Sequence, residues 1–100
     1  MQLNEYQQRA ARTAIYPNRG NNLPYVTLGL CGEAGEVANK VKNGTPSAEL
    51  YPKILDEAGD VLWYLSQLAH ELGTNLQVIA DLNLAKLEGR AIQGDHDHGR

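Results

Sequence analysis

Residues 52–73 read PKILDEAGDVLWYLSQLAHELG, and this stretch decides the fold. Ile54, Leu55, Ala58, Val61, Leu62, Leu65, Leu68, Ala69 and Leu72 recur at three- and four-residue spacing, the period of an amphipathic helix, and Trp63 and Tyr64 widen the apolar face. Proline breaks a helix interior but is tolerated in its first turn, and glycine is a natural stop. The spacing therefore predicts one helix from about Pro52 to Leu72, closed by Gly73.

Outward from it, three clusters of turn formers divide the chain: Pro17 to Asn22, Asn43 to Pro46 and Gly73 to Asn75. The first segment, about Asn4 to Ile15, starts with Asn4 as an N-cap and has a thin apolar face of Leu3, Tyr6, Ala10 and Ala14. The second, about Pro24 to Asn43, carries Leu30, Ala34, Val37, Ala38 and Val41 and stops at Gly44, read as a left-handed residue. The last runs from an Asn75 cap to about Arg90 with Leu76, Ile79, Ala80, Leu84 and Leu87 inward, and residues 91–100 read as loop. No stretch alternates as a strand. The expectation is an all-α protein, one domain over residues 1–100, built as a four-helix-type bundle. A 100-residue chain buries a modest core, and the face of the third helix is broad, so homo-oligomerisation is expected to complete the bundle.

Composition narrows the function classes. The formal charge is only −3, and Arg9, Arg12, Arg19, Lys40, Lys42, Lys53, Lys86, Arg90 and Arg100 are scattered, with no block to track a nucleic-acid backbone. The single Cys31 cannot form an intrachain disulfide, no signal-peptide pattern opens the chain, and no apolar run approaches the roughly 20 residues of a membrane span. A protein of the cytoplasm is expected, with neither membrane nor stable nucleic acid as partner.

The chemistry lies in four carboxylates arranged as two pairs, Glu33-x-x-Glu36 and Glu57-x-x-Asp60, with Ala34-Gly35 and Ala58-Gly59 in the gaps. Residues three apart share a helix face, so each pair projects its acids in one direction. Glycine inside a helix costs about 1 kcal/mol relative to alanine, which suggests close helix contact at Gly35 and Gly59. Converging acids repel unless cations sit among them, and an all-oxygen ligand set favours Mg²⁺, with Mn²⁺ as a substitute. Asn83, Lys86 and Arg90, spaced three and four apart, present donors along one face of the last helix and could meet phosphate charge. Lys86 and Arg90 could instead pair with Asp81 or Glu88. Tyr64, one turn beyond Asp60, borders the acid face or serves as a core-edge tyrosine. Trp63 reads as core or oligomer interface, with base stacking as the alternative. Gln7 and Gln8 could hydrogen-bond a base edge, and His70 reads as structural.

The strings GEAGEVANKV (residues 32–41) and, after twenty intervening residues beyond Glu36, EAGDVLWYL (57–65) resemble the E-x-x-E … E-x-x-D signature of the all-α MazG-like nucleoside triphosphate pyrophosphohydrolases. NLAKLEGR (83–90) is similar to the last helix of that family, and the likeness spans about residues 24–90. It implies a helical dimer or dimer of dimers that binds Mg²⁺ through Glu33, Glu36, Glu57 and Asp60 and converts a nucleoside triphosphate to monophosphate and pyrophosphate. It also implies nucleotide contact by Tyr64 and phosphate contact by Lys86 and Arg90. Glu33 is the candidate general base. The family's G-x-G-D-N-R tail is matched only loosely by Gly94-Asp95-His96-Asp97-His98-Gly99-Arg100, which lacks the middle glycine and the asparagine. The competing reading is a non-enzymatic helical interaction or regulatory module whose acids face a basic partner. A carboxylate-bridged di-iron bundle needs Glu-x-x-His pairs, which this chain does not have.

Overall fold

The computed structural model describes residues 1–93, with side chains through Arg90. The tail motif from Gly94 onward lies outside the described residues. Four helices follow one another: α1 (Leu3–Ala11), α2 (Leu23–Asn43), α3 (Leu50–Glu71) and α4 (Leu76–Gln93). No strand occurs among the described residues. Ala91 to Gln93, read as loop from sequence, continue α4.

Three local readings are corrected. α1 ends at Ala11 rather than near Ile15, because Thr13 N–H and Ala14 N–H turn back to the carbonyls three residues earlier, Ala10 and Ala11 (2.9 and 3.1 Å). Asn4 does not cap its own helix. Gln2 holds that position without a side-chain bond, and Asn4 Oδ1 accepts from the Gln77 N–H at the start of α4 (3.1 Å). Gly44 is extended, with φ −103°, not left-handed. It is glycine for space: a Cβ there would stand 2.6 Å from Leu50 Cδ1 and 2.8 Å from the Lys40 carbonyl oxygen.

The remaining punctuation holds. Asn22 Oδ1 accepts from Tyr25 N–H at the start of α2, and Pro52 sits in the first turn of α3. Gly73, at φ +71°, closes α3 with Thr74 N–H on the Ala69 carbonyl (2.9 Å) and its own N–H on that of His70 (3.0 Å), the paired bonds of a Schellman ending. Asn75 Oδ1 caps α4 through Val78 N–H, and Gln7 Oε1 accepts from Leu76 N–H (2.8 Å). Gln7, a candidate for a base edge, is thus engaged in tying α1 to α4.

The loop between α1 and α2 is strapped to the end of α3 by one carboxylate. Glu71 accepts from Tyr16 Oη, Gly20 N–H and Asn22 N–H, each at 2.6 Å. Arg19 Nε donates to Oε1 of the fully buried Gln67 (3.0 Å). The buried apolar side chains are Ala10, Tyr16, Val26, Ala69 and Leu76. Farther out the core is thin. Leu28 and Leu55 are each 72% exposed and Leu82 67%, while Leu62, Leu72 and Leu84, expected inward, are also exposed. α3 packs along α2, whereas α4 meets only α1 and α3, and no backbone contact joins α4 to α2 among the described residues. The four helices therefore do not close into a bundle within one chain.

Candidate metal and nucleotide site

α2 and α3 run antiparallel, as three pairs across their contact establish: Lys40 faces Glu57, Glu33 faces Asp60, and Gly29 faces Tyr64. This register brings Glu33, Glu57 and Asp60 together, with a carboxylate oxygen from each inside 4.8 Å of the others. Two helices supply them, so the cluster exists only when α2 and α3 pack in register.

Glu36 stands outside this trio. Its carboxylate lies 3.9 Å from Lys40 Nζ, which is also 3.8 Å from Glu57. Lys40 is a participant that sequence reasoning missed, although the four-residue spacing from Glu36 was a readable signal. It places one cation beside the acids. The repulsion is still felt: burial first, then the charges of Asp60, Glu57, Glu36 and Asp56, push the Glu33 carboxyl above its ordinary pKa. Asp56, also missed, adds negative charge just outside the cluster. Three convergent oxygens without nitrogen or sulfur donors fit a hard divalent cation such as Mg²⁺ or Mn²⁺.

The glycines between the acids do not serve the expected purpose within the chain. A Cβ at Gly35 or Gly59 would meet nothing within 4 Å, and both positions are exposed. The closest approach of α2 to α3 at a glycine occurs six residues before Gly35, at Gly29, where a Cβ would stand 2.1 Å from Tyr64 Cε1. Tyr64 is therefore seated against α2 beside the acids. Burial, then Tyr25, then the charges of Glu33 and Asp60 raise the pKa of its hydroxyl. Around it Tyr16, Tyr25, Trp63 and Tyr64 form a continuous aromatic group, with Tyr16 and Tyr25 stacked at 4.9 Å and Trp63 edge-on to Tyr64 at 5.0 Å.

Asn83 and Lys86 line a shallow recess on α4 with Ile79 and Leu82, and no residue of the acid cluster borders it. Neither Lys86 nor Arg90 pairs with Asp81 or Glu88 among the described residues, and Asp81 accepts instead from Gln77 Nε2 (2.9 Å). A single chain thus assembles the acids and Tyr64, and the recess that holds Asn83 and Lys86 is a separate one. Gln8 and His70 border a separate polar recess with Arg19. Cys31 is an exposed free thiol. No helix among the described residues is long and apolar enough to cross a membrane.

Comparison with known proteins bears on the same residues. The chain is 42% identical, over a 113-residue alignment, to the Gene 37 protein of Mycobacterium phage L5, and the alignment covers 98% of this chain and 99% of that protein. No solved structure matches. The model of the MazG nucleotide pyrophosphohydrolase domain matches residues 23–93, a span that holds both acid pairs, Tyr64 and the donors of α4. On that match the chain belongs to the MazG nucleotide pyrophosphohydrolase domain family.

Proposed function

We propose that this protein hydrolyses nucleoside and deoxynucleoside triphosphates to monophosphate and pyrophosphate in a Mg²⁺-dependent reaction of the cytoplasm, with Mn²⁺ able to substitute. The observation that carries the reading is the convergence of Glu33, Glu57 and Asp60 from two helices of a chain in this family. These three, with Glu36 once Lys40 yields it, would hold the metal. A divalent ion bound there would supply Lewis-acid neutralisation of the triphosphate. Glu33, whose carboxyl is the one pushed toward its protonated form, is suited to accept the proton of the attacking water. Water oxygen bonds to the α-phosphorus, the bridging bond to the β-phosphate breaks, and pyrophosphate leaves.

Lys86, Arg90 and Asn83 would meet phosphate charge, and Tyr64 would border the nucleotide. Because none of the chain's own acids borders the recess that holds Asn83 and Lys86, this assignment goes with assembly into a homodimer or homotetramer. Exposed leucines on α2, α3 and α4 support such assembly.

Product analysis tests the reading. Purified protein incubated with a panel of NTPs and dNTPs should release monophosphate and pyrophosphate with Mg²⁺ and nothing with chelator. Glu36→Gln or Asp60→Asn should abolish turnover with helicity unchanged. Diphosphate and orthophosphate as products would refute attack at the α-phosphorus.

A further inference from the structure

A polar recess of about 270 Å³ lies where α1, the loop before α2, the end of α3 and the start of α4 meet, and Asn4, Gln7, Gln8, Arg19, His70 and Asn75 line it. No acid borders it among the described residues. His70 stands ten residues beyond Asp60 on α3, about 15 Å along the helix, so the recess is separate from the acid cluster. Its volume falls below the roughly 300–1,000 Å³ of drug-sized ligand sites and suits a small ion.

What these side chains have left to offer is mostly hydrogen-bond donors. The amide oxygens of Asn4, Gln7 and Asn75 accept from the backbone N–H groups of Gln77, Leu76 and Val78 at 3.1, 2.8 and 2.9 Å. That commits the acceptor end of each amide to α4 and leaves its NH₂ end, with one hydrogen of Gln7 directed to the Thr74 carbonyl (3.4 Å). Gln8 alone can present either end. Arg19 Nε donates to Oε1 of the fully buried Gln67, which fixes the guanidinium, and its terminal nitrogens pair with no carboxylate among the described residues. The His70 ring lies against the same loop, its Nε2 3.9 Å from where a Gly20 Cβ would stand, and it has an N–H to give in either charge state. Glu71, its neighbour in sequence, has both carboxylate oxygens taken by Tyr16, Gly20 and Asn22.

Donors come to this recess from every segment that borders it. An anion with oxygens in several directions meets more of them than a flat carboxylate does, and a guanidinium fork matches two phosphate oxygens at once. We infer that the recess binds a small phosphate anion, orthophosphate or pyrophosphate, apart from the metal cluster. α4 meets only α1 and α3, so an anion that ties its first turn to both would fasten the helix that carries Asn83 and Lys86. The inference does not depend on the reaction proposed above.

The test needs no turnover. Chelator keeps metal from carrying phosphate to the acids, and sodium chloride matches the ionic strength of every titrant. Under these conditions calorimetric titration with orthophosphate and with pyrophosphate should show saturable binding near one anion per chain, and Tm should rise with it. Gln8→Glu, at an exposed position of α1, sets a carboxylate at the rim and should weaken binding at least about tenfold by repulsion. Arg19→Gln should abolish it. Binding of either anion alone upholds the inference and names the source of the phosphate. Binding of neither overturns it, and so does an affinity unchanged in Gln8→Glu, which would put the anion elsewhere on the protein. Succinate bound as tightly as phosphate, with the same loss in Gln8→Glu, overturns it too, because the recess would then be a carboxylate site. The exposed Gln8→Glu decides the matter even if Arg19→Gln does not fold.

Discussion

Two glutamates on this chain are displaced in opposite directions, and each displacement has a consequence. Glu33 is pushed up by burial and by the acids around it, so at neutral pH its ionised form strains the fold. A cation bound to the cluster relieves that strain, and Mg²⁺ should raise the melting temperature. At a concentration a hundredfold above Kd the gain is about 2.7 kcal/mol. A thermal scan with Mg²⁺ and with chelator measures it, and Asp60→Asn should remove the difference. Glu71 is pulled down to about 2 by its bonds from Tyr16, Asn22 and Gly20. A depressed carboxylate stabilises the fold above its unfolded value and loses that effect as pH falls through the folded one. The same bond raises the Tyr16 hydroxyl, after burial, to about 12, so this contribution persists below pH 10 and fades as pH climbs toward 12. The stability gap between the native protein and Glu71→Gln should therefore be widest between about pH 4.5 and pH 10. Denaturant midpoints measured across pH should narrow at both ends, and a gap independent of pH would refute the strap as an ionic device.

For the helices, the instructive contrast is among glycines. Gly29 faces Tyr64 where α2 packs on α3, and alanine there collides with that ring. Overpacking of this kind costs about 1–3 kcal/mol, and Gly29→Ala should lose that much in urea denaturation while shifting Tyr64 away from the acids and lowering activity. Gly59 meets nothing in its own chain. By helix propensity alone Gly59→Ala should gain up to about 1 kcal/mol. A loss instead would mean that a second chain packs against this glycine, which would restore to it the close-contact role its sequence suggests. α4 offers a different lesson: Asn75, Asn4 and Gln7 satisfy its first amides, and two of these side chains come from α1. Only the local cap, Asn75, follows from the sequence next to the helix.

At the scale of the molecule, the radius of gyration is 15.8 Å, against about 13 Å for a compact 100-residue domain. The excess follows from the splaying of α4 away from α2 and from the thin core. An apolar recess of about 350 Å³ between α1, α3 and α4, lined by Leu62, Leu65, Leu76 and Ile79 among others, lies open on this outer face. A second copy covering it is the expected completion. Light scattering coupled to size exclusion should give a dimer or tetramer, and Leu62→Glu should shift it toward monomer with loss of activity. A native monomer that turns over nucleotide would remove assembly from the proposal.

The sequence by itself determined the four helices and the acid pairing, because both are local. A 3.6-residue period, a proline near a helix start and carboxylates three apart depend only on neighbours along the chain. The stop at Gly73 and the Asn75 cap were legible for the same reason. Tertiary structure alone decided how α2 and α3 are registered, and with that which three of the four acids meet and that Lys40 stands between Glu36 and Glu57. It decided that Gly29, not Gly35 or Gly59, is the glycine against which the facing helix packs, and that Glu71 and Gln7 fasten distant segments. These outcomes depend on residues tens of positions apart whose packing no local period encodes.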